Sequence, residues 1–209
     1  MIKLVAFDVG GVLQESITDG ISGHNDLGIH HFMAKKLKLG LDTWFDSIDV
    51  IYAKAMEGEF SKKKAMSLMS KNLKIKSERL EKLFIQAYEK YFKKNKKLYK
   101  IALKLKNRGY KIAILSDQWP VSKEALIKKE DAKKFDIVII SCDVGLKKPS
   151  AKIYRFLMKK AKLKANEMIF IDNRRWNLDS AKKLGIKTIL FKNNRQVLRE
   201  LNNLKVKIE

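Results

Sequence analysis

The feature that most constrains this chain is an interrupted alternation. One apolar tetrad, Leu4-Val5-Ala6-Phe7, stands alone near the start. Four more short apolar runs come only after residue 110, at 111–116, 136–140, 167–172 and 186–191, each separated from the next by a helical pattern. Such runs are too short for buried helices and lack the polar alternation of half-exposed strands. They read as strands covered on both faces. Parallel neighbours need a crossover long enough to hold a helix, so the pattern predicts a doubly wound, Rossmann-like parallel sheet.

The interruption predicts the second body. Residues 14–28 contain Gly20, Gly23 and Gly28 among polar residues and read as a loop. Apolar residues at helical spacing then recur from 29 to 37, 43 to 56, 61 to 71 and 77 to 92, with Asp42, Ser61 and Ser77 placed as N-caps. An insertion between the first strand and the others hangs over the carboxyl ends of the strands, which makes it a lid. The expected division is an α/β core from 1–13 and 94–209, with a helical cap from 14–93.

Composition narrows the partners. The net charge is +23, but Lys carries most of it, Arg is scarce, and no aromatics are interleaved with the basic residues. That fits a solvated Lys-rich surface better than a nucleic-acid interface. A single cysteine, Cys142, excludes an internal disulfide and fits a reducing cytoplasm. No run reaches the length of a membrane helix, so no membrane partner is expected.

Four polar signals fall at or just beyond strand ends: Asp8, followed by Gly10 and Gly11; Ser116, followed by Asp117; Lys147-Lys148-Pro149; and Asp172-Asn173. In a parallel sheet these ends share one edge, so the four can converge on one crevice. Two glycines directly after an acid let the backbone turn sharply and approach a ligand.

In this order the four signals resemble the haloacid dehalogenase-like hydrolase superfamily over essentially the whole chain. Phe-Asp8-Val-Gly-Gly-Val12 resembles the nucleophile motif and Ile-Leu-Ser116 the second. Gly145-Leu-Lys-Lys148-Pro149 resembles the lysine motif. Phe-Ile-Asp172-Asn173, followed by Asn177, resembles the fourth. The resemblance implies a hydrolase of a small phosphorylated metabolite that works through an aspartyl-phosphate on Asp8. Mg²⁺ would be held by Asp8, the carbonyl of Gly10, Asp172 and Asn173. Ser116, Lys148, Gly10, Gly11 and Asp117 would contact the phosphoryl group. Lys148 is chosen over Lys147 because it directly precedes the proline.

Two positions depart from that pattern. The family's phosphatases usually carry a second aspartate two residues after the nucleophile, as general acid and base. Here the residue is Gly10, a start that some relatives regarded as phosphatases share. The second acid of the fourth motif is Asn173, which offers an oxygen but no charge. The departures leave two further readings below the phosphatase: a catalytically impaired binder of a phospho-ligand or protein, and a metal-independent 2-haloacid dehalogenase. Asp172 speaks against the dehalogenase, because a carboxylate there suits a cation. Among the other residues, His24 is a loop position able to touch substrate, and His30 and His31 read as helix-packing or solvent-facing. Trp119 could wall the pocket, and Arg174 and Arg175 read as a solvated pair.

Overall fold

The structure, a computed structural model, describes residues 1–17 and 25–208. In chain order the elements are β1 (Leu4–Phe7), β2 (Gln14–Ser16), α1 (Asn25–Leu37), α2 (Leu41–Met56), α3 (Lys62–Leu73), α4 (Ser77–Tyr91) and β3 (Phe92–Lys94). There follow α5 (Lys96–Asn107), β4 (Lys111–Ser116), α6 (Pro120–Leu126), α7 (Lys129–Ala132), β5 (Ile137–Ile140), α8 (Ser141–Val144) and α9 (Ala151–Ala161). The chain ends with β6 (Met168–Asp172), α10 (Arg175–Lys183), β7 (Lys187–Leu190) and α11 (Asn194–Asn203).

Five strands form one parallel sheet in the order β5-β4-β1-β6-β7. The apolar tetrad lies at its centre: Leu4 to Phe7 pair with Lys111 to Ile114 on one side and with Met168 to Ile171 on the other. All four residues are buried, which is why this strand shows no polar alternation. The pleat sends Leu4 and Ala6 to one face, where they pack with Ile153, Tyr154 and Leu157 of α9 and Leu178 and Ala181 of α10. Val5 and Phe7 meet the other face, with Leu98, Ala102 and Leu105 of α5 and Val197 and Leu201 of α11. The sheet is doubly wound, as its sequence pattern requires.

Helices α1 to α4 form the inserted body, built on Trp44, Ile48, Met69, Leu80 and Phe84. His30 belongs to this core: its Nδ1 accepts the Trp44 indole N–H at 3.0 Å. His24 lies outside the described residues.

The root of the insertion differs from expectation. Residues 14–16 are a strand, β2, and pair antiparallel with β3 where the chain re-enters the core. A three-residue strand is too short to show a period, and its partner is distant in sequence, so nothing local announces it. The caps also differ: the N-cap of α2 is Gly40, with Asp42 in the first turn, and that of α4 is Lys76. Ser61 and Ser150 do cap α3 and α9, accepting from Lys64 and Lys152. Among the described residues no helix is long and apolar enough to cross a membrane.

Candidate active site

Asp8 is the first residue past the carboxyl end of β1, and its backbone N–H still donates to the Ile171 carbonyl at 2.9 Å. The chain then reverses tightly: Val12 and Gln14 donate to the Val9 carbonyl, and Leu13 donates to that of Asp8. Gly11 sits at φ 76°, in the left-handed region, and a Cβ there would lie 2.3 Å from Asn173 Nδ2. Only glycine meets both conditions. Gly10 is different, because a Cβ there would meet nothing closer than Phe92 at 3.8 Å.

The four strand-end signals come together. The Lys148 ammonium lies 3.0 Å from Asp8 Oδ1 and 2.8 Å from Asp172 Oδ2, with all three side chains buried. Asp8 Oδ1 also accepts the Val9 N–H at 2.7 Å, and the Ser116 hydroxyl hydrogen-bonds the same carboxylate. Asp172 is anchored at both oxygens: Oδ1 accepts the Arg174 N–H at 2.7 Å, and Oδ2 accepts the Asn177 amide at 3.0 Å as well as Lys148. Asp117 Oδ1 accepts the backbone N–H of Lys148 at 3.1 Å, so it fixes the lysine loop. Lys147 instead pairs at the surface with Glu57 of the cap.

Burial dominates the electrostatics of this floor. It pushes the Asp8 carboxyl up to about 6; Lys148 opposes the rise and the Asp172 charge adds to it. Burial also raises Asp117, against the pull of Lys148. Lys148 moves upward even though burial alone would lower it, because Asp8, Asp172 and Asp117 surround it with negative charge. The ammonium therefore stays charged throughout the physiological range.

Above the floor is a cavity of ≈ 120 Å³, walled by Asp8, Gly10, Asp117, Lys148, Asn173 and Arg174 from the core and by cap residues opposite. Ser116 and Asp172 are fully buried below it, and Gly11 lies outside its wall, in a groove behind Asn173. Sequence reasoning missed the roof: Tyr52 and Met56 of α2, Tyr88 of α4 and Phe92 of β3. It also missed Gln118, whose amide donates to Ser116 Oγ at 3.0 Å and whose backbone exchanges two hydrogen bonds with the Ser141 side chain. Its place two residues after Ser116 was the only signal. Trp119 is fully buried between core and cap and does not line the cavity.

The residues lining the cavity carry oxygen donors: the Asp8 and Asp117 carboxylates, the Asn173 amide and the backbone of Gly10. Asn173 Oδ1 is buried without a hydrogen-bond partner, a cost that a bound cation would relieve. An all-oxygen set suits a hard cation that keeps several waters, as Mg²⁺ does. Among the described residues no group of three or more His, Cys, Asp or Glu is placed to hold a metal ion, so a cation here would depend on backbone and amide oxygens as well.

Known proteins resemble this chain in sequence and in fold. The chain is 35% identical over 115 residues to bifunctional epoxide hydrolase 2 of Mus musculus, a match that covers 53% of this chain and 21% of that protein. The chain thus spans about a fifth of the length of that relative. It is 34% identical over 95 residues to glyceraldehyde 3-phosphate phosphatase of Pyrococcus abyssi, and 36% identical over 97 to (S)-2-haloacid dehalogenase 4A of Burkholderia cepacia. Each of these matches covers 44% of this chain and 40% of the relative. The fold matches an HAD family enzyme from Bacteroides thetaiotaomicron, solved with magnesium and inorganic phosphate, at a TM-score of 0.71 and 19% identity over 95% of this chain and 99% of that one. The family model for haloacid dehalogenase-like hydrolases spans residues 2–185, from β1 through α10. With four of its five sheet strands, its inserted cap and its strand-end residues inside that match, the chain belongs to the haloacid dehalogenase-like hydrolase family.

Proposed function

We propose that the protein is a Mg²⁺-dependent phosphatase acting on a small phosphomonoester, with Asp8 as nucleophile. The observation that carries this reading is the buried ammonium of Lys148 held between Asp8 and Asp172 on the floor of a cavity between core and cap. A dianionic phosphate approaching a carboxylate meets repulsion, and a fixed cation at the nucleophile offsets it without reorganisation. Asp172, tied at both oxygens, orients Lys148. Asp8 is held by the Val9 N–H and the Ser116 hydroxyl, so one carboxylate orientation faces the cavity. The cap roof excludes bulk water and strengthens each of these interactions.

Mg²⁺ held by Asp8, the Gly10 carbonyl and Asn173 would neutralise phosphoryl charge. Asp172 lies behind this set and acts on it through Lys148 and Asn177. The phosphatase among the relatives, and the neighbour solved with magnesium and phosphate, support this assignment.

The metal-free dehalogenase reading uses the same Asp8, Ser116 and Lys148, and the neutral amide of Asn173 is the observation in its favour. One assay separates the readings. Purified protein with Mg²⁺ should release phosphate from an aryl phosphate, and Asp8→Asn should lower the rate by more than about 10³-fold. Equal rates for the two proteins remove Asp8 as nucleophile. Halide release from a 2-haloacid in chelator, without phosphate release, establishes the dehalogenase instead.

A further inference from the structure

Among the described residues the cavity has a nucleophile on its floor and no carboxylic acid or imidazole on its roof. Besides the floor, the lining is Tyr52, Met56, Tyr88, Phe92 and Leu126, with Gln118 and Ser122 as its neutral polar members; none of these is a carboxylic acid or an imidazole. At residue 10, on the chain just past the nucleophile, the space is open but the residue is glycine. Apart from Asp8, the carboxyl that lines the cavity among the described residues is Asp117. It stands beside Ser116 on the floor, with Oδ1 turned to the Lys148 loop. Arg174, Lys148, Asp8 and the buried Asp172 are the charged groups around it.

The roof offers phenols. Tyr88 Oη accepts the buried Trp119 indole N–H at 2.7 Å and has the Tyr52 hydroxyl 3.5 Å away. A phenol titrates near 10, too high for efficient proton donation around neutrality.

We infer that the site acts on phosphates whose leaving oxygen departs unprotonated, aryl phosphates above all, and discriminates against alkyl phosphates. This deepens the phosphatase reading and rests on it. In the first step an Asp8 carboxylate oxygen bonds to phosphorus as the bond from phosphorus to the leaving oxygen breaks, and the bonding pair leaves on a phenolate. In the second step water bonds to phosphorus as the bond to Asp8 breaks. The carboxylate is restored, and the water's protons leave on dihydrogen phosphate, one of which neutralises the phenolate in solvent. No protein acid is needed because a phenolate is several pKa units more stable than an alkoxide. The roof also suits an aryl group: Tyr52, Tyr88 and Phe92 present rings to it, and aromatic pairs gain energy beyond their buried area.

The test is the dependence of kcat/KM on leaving-group pKa over a series of substituted phenyl phosphates, with acetyl phosphate and glycerol phosphate as the acyl and alkyl arms. The rate should fall on the order of tenfold per pKa unit, with acetyl phosphate hydrolysed and glycerol phosphate nearly inert. Gly10→Asp should flatten the slope and raise the alkyl rate by ~10²-fold, while Gly10→Ala, which fills the same space without an acid, should keep the wild-type slope. A shallow wild-type slope with comparable aryl and alkyl rates overturns the inference, and steepening of that slope by Asp117→Asn would name the acid overlooked here. The wild-type slope decides alone if Gly10→Asp does not fold. Wild-type phosphate release that Asp8→Asn leaves undiminished, on every substrate, overturns the phosphatase reading instead and leaves the slope without meaning.

Discussion

The floor and the roof of the cavity are built on opposite principles. The floor is charge held in register: Asp8, Asp117 and Asp172 converge on Lys148 from three separate strand ends, and each side chain is fixed by a partner of opposite charge or by a backbone N–H. The roof is shape. Trp119 rises from the core into the cap, stacks edge-on against Phe84 at 4.8 Å, and lies 5.1 Å from Tyr52. Behind it Gly58 comes so near the Cys142 carbonyl that a Cβ would sit 2.7 Å from it. A charged floor tolerates little substitution because each removal leaves a buried charge uncompensated. An apolar roof can be reshaped without leaving a buried charge uncompensated.

Lys148→Met tests the floor and should have the largest effect. Removing one partner of a buried ion network costs about 3–5 kcal/mol, more than the network contributed, because the carboxylates remain. Phosphate release should fall by more than about 10³-fold as well. The loss of stability has a pH signature in metal-free buffer. Asp8 already titrates near 6 in the fold against 3.8 in its unpaired state, and loss of Lys148 raises it further. An acid with a raised folded pKa destabilises only when ionised, so the deficit should be small near pH 4 and grow as pH rises through the folded value. Denaturant midpoints of both proteins at pH 5 and pH 8 check this. An equal deficit at both values means that packing, not charge, was lost.

Tyr88→Phe makes the equivalent test of the roof. It keeps the ring and deprives the buried Trp119 N–H of its acceptor, which costs about 1–3 kcal/mol. Thermal unfolding should report that loss, while phosphate affinity stays close to wild type. A fall in phosphate affinity as large as that for Lys148→Met would erase the division between floor and roof.

The same division explains what could be read from the sequence. A buried strand leaves a continuous apolar run, and a polar residue at or just past its end is a weak signal alone, so Asp8, Ser116 and Asp172 became legible only as a set in one order. Lys148 needed the proline beside it to be told from Lys147. Roof residues leave no such mark. Tyr88 lies on an apolar stripe of α4 that reads equally well as cap core, and Tyr52 is one of several aromatics on α2. What makes them cavity walls is the position of Trp119, set by long-range packing. The β2–β3 ribbon was hidden for the same reason. Asn95 is a further case: it caps α5 by accepting from Leu98, and its side-chain amide also donates to the Val12 carbonyl at 3.1 Å, a tie between the cap's exit and the nucleophile turn that nothing local announces.

Asn173→Asp sharpens the comparison inside the floor itself. It replaces a neutral donor with a charged one at the orphaned oxygen, and ligand charge is a main determinant of divalent-cation affinity. Mg²⁺ binding measured by calorimetry should tighten by roughly tenfold. The gain is limited because Asn173 Nδ2, packed against Gly11, becomes an oxygen. Unchanged affinity would mean that the cation is held without residue 173.

The smallest effect is expected where charge joins cap to core at the surface. Lys62 of α3 reaches Glu81 of α4 at 3.0 Å and Glu124 of α6 at 2.8 Å. Glu124 is half exposed, so its attraction is screened by water and salt, and holding two long side chains together costs entropy. Glu124→Gln leaves Lys62 its second partner and should cost roughly 0.5 kcal/mol or less, vanishing at high salt. If apolar shape docks the cap, this variant will unfold almost with the wild type while Tyr88→Phe unfolds well before it. If the order is reversed, surface charge holds the cap down, and with a chain this basic the cap's closure would then follow ionic strength.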